Sequence, residues 1–146
     1  MLFNLVKVMH AEFSNASLLA GLRILIAEDD ELNRQLLQII LTSAGAEVTQ
    51  VCDGEAAMSV FEPGRYDLAI LDLRMPRQDG IATMMKMREL DCDFPVAALT
   101  ACARCEDRAA CHDAGFQLYL TKPIMPADLL RAITLLTETR VVSSIE

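Results

Sequence analysis

The sequence predicts an α/β fold in which a doubly wound, five-stranded parallel sheet is covered by helices on both faces. Two observations predict this fold. Short apolar runs alternate five times with longer segments whose apolar residues recur at helical spacing, from Leu22 to Thr139. The third run, Leu-Ala-Ile-Leu at 68–71, is apolar throughout, as strands buried on both faces are. Alternating strands and helices form parallel sheets, because each helix carries the chain back across the sheet.

The first two repeats are predicted to start with strands at 23–27 and 47–51. The first is apolar after its leading arginine, and the second alternates between polar and apolar residues. Leucines and isoleucines between them follow helical spacing, and Gly45 can end that helix in a left-handed conformation. Asp53 is a suitable N-cap for a second helix, which runs toward Phe61.

The other three repeats are predicted to have strands at 68–71, 95–99 and 118–120. Their helices are expected at about 81–90, 104–114 and 127–139, where apolar residues recur every three or four positions. Gly115 follows the fourth helix and can end it. The segment from Met75 to Gly80 contains proline, aspartate and glycine and therefore reads as a loop.

Composition narrows the class of function. The chain has 146 residues, enough for one domain, and 53% of them are hydrophobic. Its formal net charge of -8 argues against nucleic-acid binding, because a phosphate backbone would repel it. The five cysteines fit reduced thiols in the cytoplasm. The pair Cys102 and Cys105, followed by Cys111-His112, offers zinc or a redox pair as alternatives, although a second ligand pair of the zinc-finger type is missing.

The chain divides into three predicted segments: an extension at 1–21, a domain at 22–140 and a tail at 141–146. Apolar residues of the extension, from Leu2 to Phe13, follow helical spacing, so a short helix and an unordered leader are both compatible with it. No run of about 18 apolar residues predicts a membrane span. A signal peptide is not indicated, because Lys7 interrupts the apolar stretch.

Polar residues that could perform chemistry directly follow four of the predicted strands. They are Glu28, Asp29 and Asp30 after the first strand, Asp72 after the third, Thr100 after the fourth and Lys122 after the fifth. Ligands of parallel sheets bind outside the carboxyl ends of the strands, so these residues are expected to converge. Each of them alone could be a cap, a turn residue or a surface charge. Their joint placement indicates a site.

The combination of residues predicts phosphoryl chemistry. Several carboxylates in one place repel one another, and Mg²⁺, which prefers oxygen ligands, relieves that repulsion. A carboxylate such as Asp72 can attack phosphorus when the charge on the phosphoryl oxygens is neutralised. Mg²⁺ and the Lys122 ammonium would supply that charge, and the Thr100 hydroxyl would donate a hydrogen bond.

These motifs resemble the receiver domain of bacterial two-component response regulators. The resemblance extends from about Leu22 to Thr139 and is carried by four motifs: Ile-Leu-Ile-Ala-Glu-Asp-Asp at 24–30, Leu-Asp-Leu-Arg-Met-Pro at 71–76 with Asp79-Gly80, Leu-Thr-Ala at 99–101 and Tyr-Leu-Thr-Lys-Pro at 119–123. It implies a flavodoxin-like (βα)5 fold with strand order 2-1-3-4-5. It also implies that Asp72 accepts a phosphoryl group from a phosphohistidine.

The resemblance assigns a role to each matching residue. Asp29, Asp72 and the backbone carbonyl of Arg74 would bind Mg²⁺ directly, and Glu28 would bind it through water. Glu28 stands where the family more often has Asp, and its carboxylate reaches one methylene further. Lys122 would contact the phosphoryl group, and the bond before Pro123 is commonly cis in the family.

Further positions of the family's pattern concern switching and phosphate lifetime. Thr100 and Tyr119 match the switch pair, in which the threonine moves toward the phosphoryl group and the tyrosine turns inward. Arg74 and Cys102 lie where the family tunes the lifetime of the acyl phosphate. Ala101 is small and would leave the phosphosite open to its donor.

The implied partners are a histidine kinase or histidine phosphotransfer protein and a downstream protein. The downstream protein would read the surface of the fourth helix, fifth strand and fifth helix. Hydrolysis of the acyl phosphate would be slow self-catalysis, so the chain is not expected to be an enzyme in the usual sense. The sequence leaves open whether the chain forms a homodimer, and whether it acts alone or belongs to a hybrid kinase.

Three alternatives keep an α/β fold. A pseudo-receiver scaffold would lack the phosphoryl chemistry, but the intact set of site residues argues against it. A phosphatase of the haloacid-dehalogenase type needs a second Asp two residues after its nucleophile, where this chain has Arg74. A flavin-binding protein needs a phosphate-binding loop after the first strand, where Glu28, Asp29 and Asp30 would repel the phosphate.

Overall fold

The fold is a five-stranded parallel sheet in the order β2-β1-β3-β4-β5, with a helix after each strand. The structure, a computed structural model, describes residues 18–101 and 105–145. The strands are β1 (Arg23–Ala27), β2 (Glu47–Val51), β3 (Leu68–Asp72), β4 (Val96–Thr100) and β5 (Leu118–Thr121). The predicted fold class, strand number and strand order are confirmed.

The helices are α1 (Glu31–Ser43), α2 (Gly54–Val60), α3 (Gly80–Leu90), α4 (Cys105–Ala114) and α5 (Pro126–Ile145). Asp30, Asp53 and Asp79 cap the first three, because each carboxylate accepts a hydrogen bond from a backbone N–H in the first turn. The predicted cap at Asp53 is therefore confirmed. Gly45 and Gly115 follow helix ends at φ 97° and 112°, a region that favours glycine.

Two apolar layers enclose the sheet. One contains buried residues of α1 and α5, such as Leu37 and Ile133, packed on Ile24 and Ile70 of the central strands. The other contains buried residues of α2, α3 and α4 packed on the opposite face. All five residues of β3 and all five of β4 are buried. The central strands therefore present only their carboxyl ends for chemistry.

Two features extend beyond the predicted ends of the core elements. Leu19, which the prediction placed in the N-terminal extension, is 1% exposed and packs in the core, and its N–H donates to the carbonyl of Ala44 at 2.8 Å. The last helix continues to Ile145, whereas the prediction ended it at Thr139. Positions 140–145 contain no glycine or proline that would stop the helix. The amphipathic stretch within 2–13 lies outside the described residues.

Among the described residues, no helix combines the length and apolar composition that crossing a bilayer requires. The cysteines resolved as free thiols are Cys52, Cys92 and Cys111. Cys102, on which the zinc and redox alternatives depend, lies outside the described residues.

Candidate functional site

A cleft of about 580 Å³ opens at the carboxyl edge of the sheet. It is lined by Asp29, Asp30, Asn33, Asp72, Arg74, Thr100, Ala101 and Lys122. The residues come from the ends of β1, β3, β4 and β5 and from the first turn of α1. Parallel strands place their carboxyl ends on one edge, which explains why positions so distant in sequence meet here.

Three carboxylates meet in this cleft. Glu28, Asp29 and Asp72 each offer one oxygen, and the three oxygens lie within 4.8 Å of one another. Glu28 is fully buried and Asp72 is 4% exposed, whereas Asp29 is exposed to solvent. The backbone supports both buried acids: Asp30 N–H donates to Glu28 Oε1 at 3.1 Å, and Arg74 N–H donates to Asp72 Oδ1 at 3.1 Å.

Lys122 places an ammonium against the carboxylates. Its Nζ lies 3.1 Å from Asp72 Oδ2 and 2.9 Å from Glu28 Oε2, and its side chain is 17% exposed. It donates hydrogen bonds to Asp72 Oδ2 and to Glu28 Oε1. Glu28 Oε2 is close to the ammonium but accepts no hydrogen bond from the described residues. One ammonium therefore faces two buried carboxylates.

Burial and charge shift the protonation of two of these groups. Burial raises the pKa of Glu28 from 4.5 to about 7 and the nearby Asp72 adds to the rise, although hydrogen bonds from Lys122 and Asp30 oppose it. Burial also works against the charge on Lys122, but the hydrogen bonds to Glu28 and Asp72 outweigh it and hold the pKa of Lys122 above its ordinary value. The carboxylate cluster is thus short of positive charge, while Lys122 remains an ammonium.

The donor set fits a divalent cation with oxygen ligands. Two ligands of one Mg²⁺ ion can be at most about 4.2 Å apart, twice the usual Mg–O distance. The 4.8 Å bound on the carboxylate oxygens is only slightly larger, so a small movement or a bridging water would suffice. Within the described part of the chain, Glu28 Oε2 accepts no hydrogen bond and contacts the Lys122 ammonium that Asp72 also contacts, so it can accept a further ligand such as a metal-bound water. Among the described residues, this is the one cluster of three acidic, cysteine or histidine side chains with such spacing.

Three of the remaining predicted residues, Thr100, Ala101 and Arg74, line the cleft. Thr100 is 3% exposed at the end of β4, and Ala101 is exposed beside it. The side chain of Arg74 is exposed and contributes to the lining. Tyr119 is half-buried and packs against the apolar layer of α2, α3 and α4 rather than lining the cleft. Cys102 lies outside the described residues.

The bond between Lys122 and Pro123 is cis, as the resemblance led us to expect. Two further residues line the cleft: Asp30, which the sequence placed at this strand end without a specific role, and Asn33, which was not predicted to line it. Their signal in the sequence is position alone: both lie at the start of the helix that leaves the same edge of the sheet.

Known proteins resemble this chain in sequence. Residues 24–134 match the sequence profile described as the response regulator receiver domain. An uncharacterized 14.6 kDa protein of Leptolyngbya boryana is 40% identical over 117 residues, which cover 79% of this chain and 89% of that protein. The transcriptional regulatory protein DltR of Streptococcus agalactiae is 31% identical over 116 residues, 80% of this chain. The match covers 52% of DltR, so the chain spans about half the length of that regulator.

Solved structures resemble it as well. The receiver domain of the sensor histidine kinase PA1611 from Pseudomonas aeruginosa, with a magnesium ion coordinated in its active-site cleft, superposes with a TM-score of 0.75 at 36% identity. The superposition covers 82% of this chain and 99% of that one. A CheY-like receiver domain protein from Methanospirillum hungatei has a TM-score of 0.78 at 26% identity, with 84% and 98% covered. The chain belongs to the response regulator receiver domain family.

Proposed function

We propose that this receiver domain accepts a phosphoryl group on Asp72 from a phosphohistidine of a kinase or phosphotransfer protein, in a reaction that needs Mg²⁺. One observation carries the proposal: a single ammonium, Lys122, contacts two buried carboxylates while a third carboxylate lies within 4.8 Å. Such a cluster retains surplus negative charge, which a divalent cation would balance, and the cation together with Lys122 would neutralise the negative charge on the phosphoryl oxygens.

In the proposed reaction a carboxylate oxygen of Asp72 attacks phosphorus in line with the leaving imidazole. The new O–P bond forms as the P–N bond breaks, and the electron pair of that bond stays on the imidazole nitrogen of the donor, which then takes up a proton. Lys122 Nζ, 3.1 Å from Asp72 Oδ2, is placed to stabilise charge on the phosphoryl oxygens. Thr100 would donate its hydroxyl hydrogen to one of these oxygens from the end of β4.

Asp29, Asp72 and the Arg74 carbonyl would hold Mg²⁺ directly, and Glu28 would hold it through water. Bound there, the ion would neutralise phosphoryl charge as a Lewis acid. The burial of Glu28 supports an outer role, because its side chain lies beneath Lys122 rather than at the mouth of the cleft. The receiver domain of PA1611, 36% identical, carries magnesium in its own cleft.

The surface next to the cleft suits a protein donor. Leu32 and Met125 are 77% and 58% exposed; Leu32 precedes Asn33, which lines the cleft, and Met125 lies in the loop after Lys122. Exposed apolar side chains beside a charged cleft favour a protein partner. We propose that the phosphohistidine protein binds over this mouth. We further propose that α4, β5 and α5 form the output surface that Thr100 and Tyr119 change, and that the protein acts in the cytoplasm.

Acetyl phosphate with Mg²⁺ tests the phosphoacceptor directly. We expect the wild-type chain to gain one phosphoryl group, detected by intact mass, and Asp72→Asn to gain none. Asp67→Asn, at the opposite end of β3, is the matched control and should label like the wild type. Labelling of Asp72→Asn at another residue would overturn the assignment of Asp72. A wild-type chain that neither labels nor responds to Mg²⁺ would instead indicate a pseudo-receiver scaffold.

A further inference from the structure

Asp53 lies outside the cleft, yet it contacts the loop that carries a proposed metal ligand. It follows β2 and caps α2, where its Oδ1 accepts the Ala56 N–H at 2.7 Å. Its Oδ2 accepts a hydrogen bond from Arg77 NH1, also at 2.7 Å. Arg77 belongs to the loop that runs from Asp72 to Gly80. The carboxylate of Asp53 therefore ties this loop to the start of a different helix.

The two sides of this ion pair are unequally exposed. The side chain of Asp53 is 3% exposed, whereas that of Arg77 is 67% exposed. The Ala56 N–H holds the pKa of Asp53 below its ordinary value, and Arg77 contributes although burial opposes it. The buried partner is thus a carboxylate, and one of its oxygens accepts its hydrogen bond from the loop. Arg77 itself has φ 67°, a backbone conformation that non-glycine residues seldom adopt.

A second set of contacts holds the same stretch of loop. Gln78 Nε2 donates to the Gly54 carbonyl at 3.3 Å and to Thr83 Oγ1 at 2.9 Å. Gly54 permits this approach, because a Cβ there would lie 2.4 Å from the Gln78 carbonyl oxygen and 2.1 Å from Thr83 Oγ1. The loop is therefore packed against the first residue of α2 as well as paired with Asp53.

Few backbone torsions separate this anchored stretch from the cleft. Only Met75 and Pro76 lie between Arg77 and Arg74, and the proline ring fixes one of their torsions. Met75 is buried in the apolar layer of α2, α3 and α4. At the other end of the loop, Gly80 N–H donates to the Leu73 carbonyl at 3.2 Å. A displacement of Arg77 is thus poorly absorbed before it reaches Arg74.

The Asp53–Arg77 ion pair is also connected to β1 and β3, the strands whose ends carry Glu28 and Asp72. Val51, two residues before Asp53, accepts a hydrogen bond from the Glu28 N–H at 3.1 Å. Arg74, three residues before Arg77, donates to Asp72 Oδ1. The Asp53–Arg77 pair therefore joins the β1–β2 side of the cleft to the loop after β3.

We propose that Asp53 and Arg77 are positioning residues, whose ion pair fixes the loop after β3 so that the Arg74 carbonyl is held ready for the metal. The inference rests on the proposed function, because it concerns affinity for Mg²⁺ at that site. Outer groups that orient metal ligands commonly change affinity about 10- to 100-fold when they are removed. Arg77 acts through two intervening residues, so we expect the Mg²⁺ dissociation constant to rise about five- to tenfold, which is at or just below the lower end of that range.

Arg77→Ala and Asp53→Ser test the pair. Alanine at position 77 has the same steric cost in the left-handed backbone conformation as arginine, so the change removes only the ion pair. Serine at position 53 keeps an oxygen that can cap α2. Calorimetric titration with Mg²⁺ should show weaker binding in both variants and in the double variant to the same extent, because the two residues act through one contact. The Mg²⁺ concentration for half-maximal labelling by acetyl phosphate should rise, while the rate at saturating Mg²⁺ stays unchanged.

Arg23→Ala is the matched control, since it breaks an ion pair with Asp67 at the far edge of the sheet. It should leave Mg²⁺ affinity unchanged. Wild-type affinity in both Arg77→Ala and Asp53→Ser would overturn the inference and leave the proposed function intact. If Asp53→Ser fails to fold, Arg77→Ala decides alone, because its side chain is largely exposed. A wild-type chain that binds no Mg²⁺ would overturn the proposed function itself.

Discussion

The two ends of β3 each place an aspartate beside a basic side chain, but the two pairs differ. At the N-terminal end Asp67 faces Arg23, with NH2 3.3 Å from Oδ1, and the two side chains are 33% and 43% exposed. Arg23 also donates to the Gly64 carbonyl, and its backbone N–H donates to Asp67. At the C-terminal end Asp72 faces Lys122, which contacts the buried Glu28 as well.

The two pairs differ in charge balance: the charges at the N-terminal end of β3 cancel, whereas those at its C-terminal end do not. Arg23 and Asp67 balance one charge with one charge in partly solvated surroundings, where an ion pair contributes little to stability. Lys122 shares a single charge between two buried carboxylates, and Asp29 adds a third negative charge nearby. Burying surplus charge is unfavourable unless a ligand compensates for it. A site that is electrostatically incomplete is therefore better explained by binding than by stability.

Of the substitutions that test this contrast between the two ends of β3, Lys122→Ala should have the largest effect. Loss of the ammonium removes stabilisation of the phosphoryl oxygens, and removal of one such group typically slows reaction about a hundredfold. We expect labelling of Asp72 by acetyl phosphate to slow by about that factor, followed by intact mass against time. Arg23→Ala should label at the wild-type rate. Equal slowing in both variants would mean that the two ends of β3 are not functionally distinct.

Glu28→Gln should weaken Mg²⁺ binding about tenfold or more, as loss of an outer-sphere group usually does. The amide keeps the shape of the side chain but removes one buried negative charge. Calorimetry would measure the change in affinity, and thermal unfolding would measure the shift that saturating Mg²⁺ produces. An unchanged affinity would remove Glu28 from the metal site.

Mg²⁺ affinity should fall about tenfold between pH 8 and pH 6, since a proton competes for Glu28 with a pKa of about 7. The raised pKa means that the folded, metal-free protein holds this proton more tightly than the unfolded chain. The contribution of the protonated Glu28 carboxyl group to folding stability is therefore fully present below pH 4.5 and is lost as the pH rises through about 7. Calorimetric titrations at several pH values would measure the slope of affinity. Glu28→Gln should remove most of that slope, and a slope that persists would assign the proton elsewhere.

Arg74→Ala should have the smallest effect. The exposed guanidinium lines the cleft two residues after Asp72, where it would influence attack of water on the acyl phosphate. We expect the dephosphorylation rate to change about two- to fivefold, a barrier change under 1 kcal/mol, while the extent of labelling stays the same. The decay of labelled protein after removal of acetyl phosphate measures that rate. Equal decay in both forms would refute the tuning role.

The fold and the meeting of the site residues could be predicted because both follow from local patterns. An apolar run in the sequence indicates a buried parallel strand, and the residues that follow it lie at the ligand-binding edge of the sheet. Asp72, Thr100 and Lys122 were located by that rule alone. Their proposed roles came from the family resemblance, and those roles remain predictions until labelling and metal titration are done.

Other features depended on contacts between distant segments, which periodicity does not encode. Leu19 packs in the core and its N–H donates to the Ala44 carbonyl after α1, contacts that no local signal indicates. The pairing of Asp53 with Arg77 joins two loops 24 residues apart, and Arg77 occurs where glycine or asparagine would be expected. The end of α5 was missed because no residue there forbids a helix.

One backbone hydrogen bond at the carboxyl edge has a mechanical consequence. The N–H of Lys122 donates to the carbonyl of Thr100, the last residue of β4, at 2.7 Å, which extends the pairing one residue beyond the end of β5. The residues that carry the Thr100 hydroxyl and the Lys122 ammonium are therefore joined directly through their backbones. If Thr100 shifts toward an incoming phosphoryl group, the backbone of Lys122 would move with it. The movement would then reach β5, which is an edge strand of the sheet.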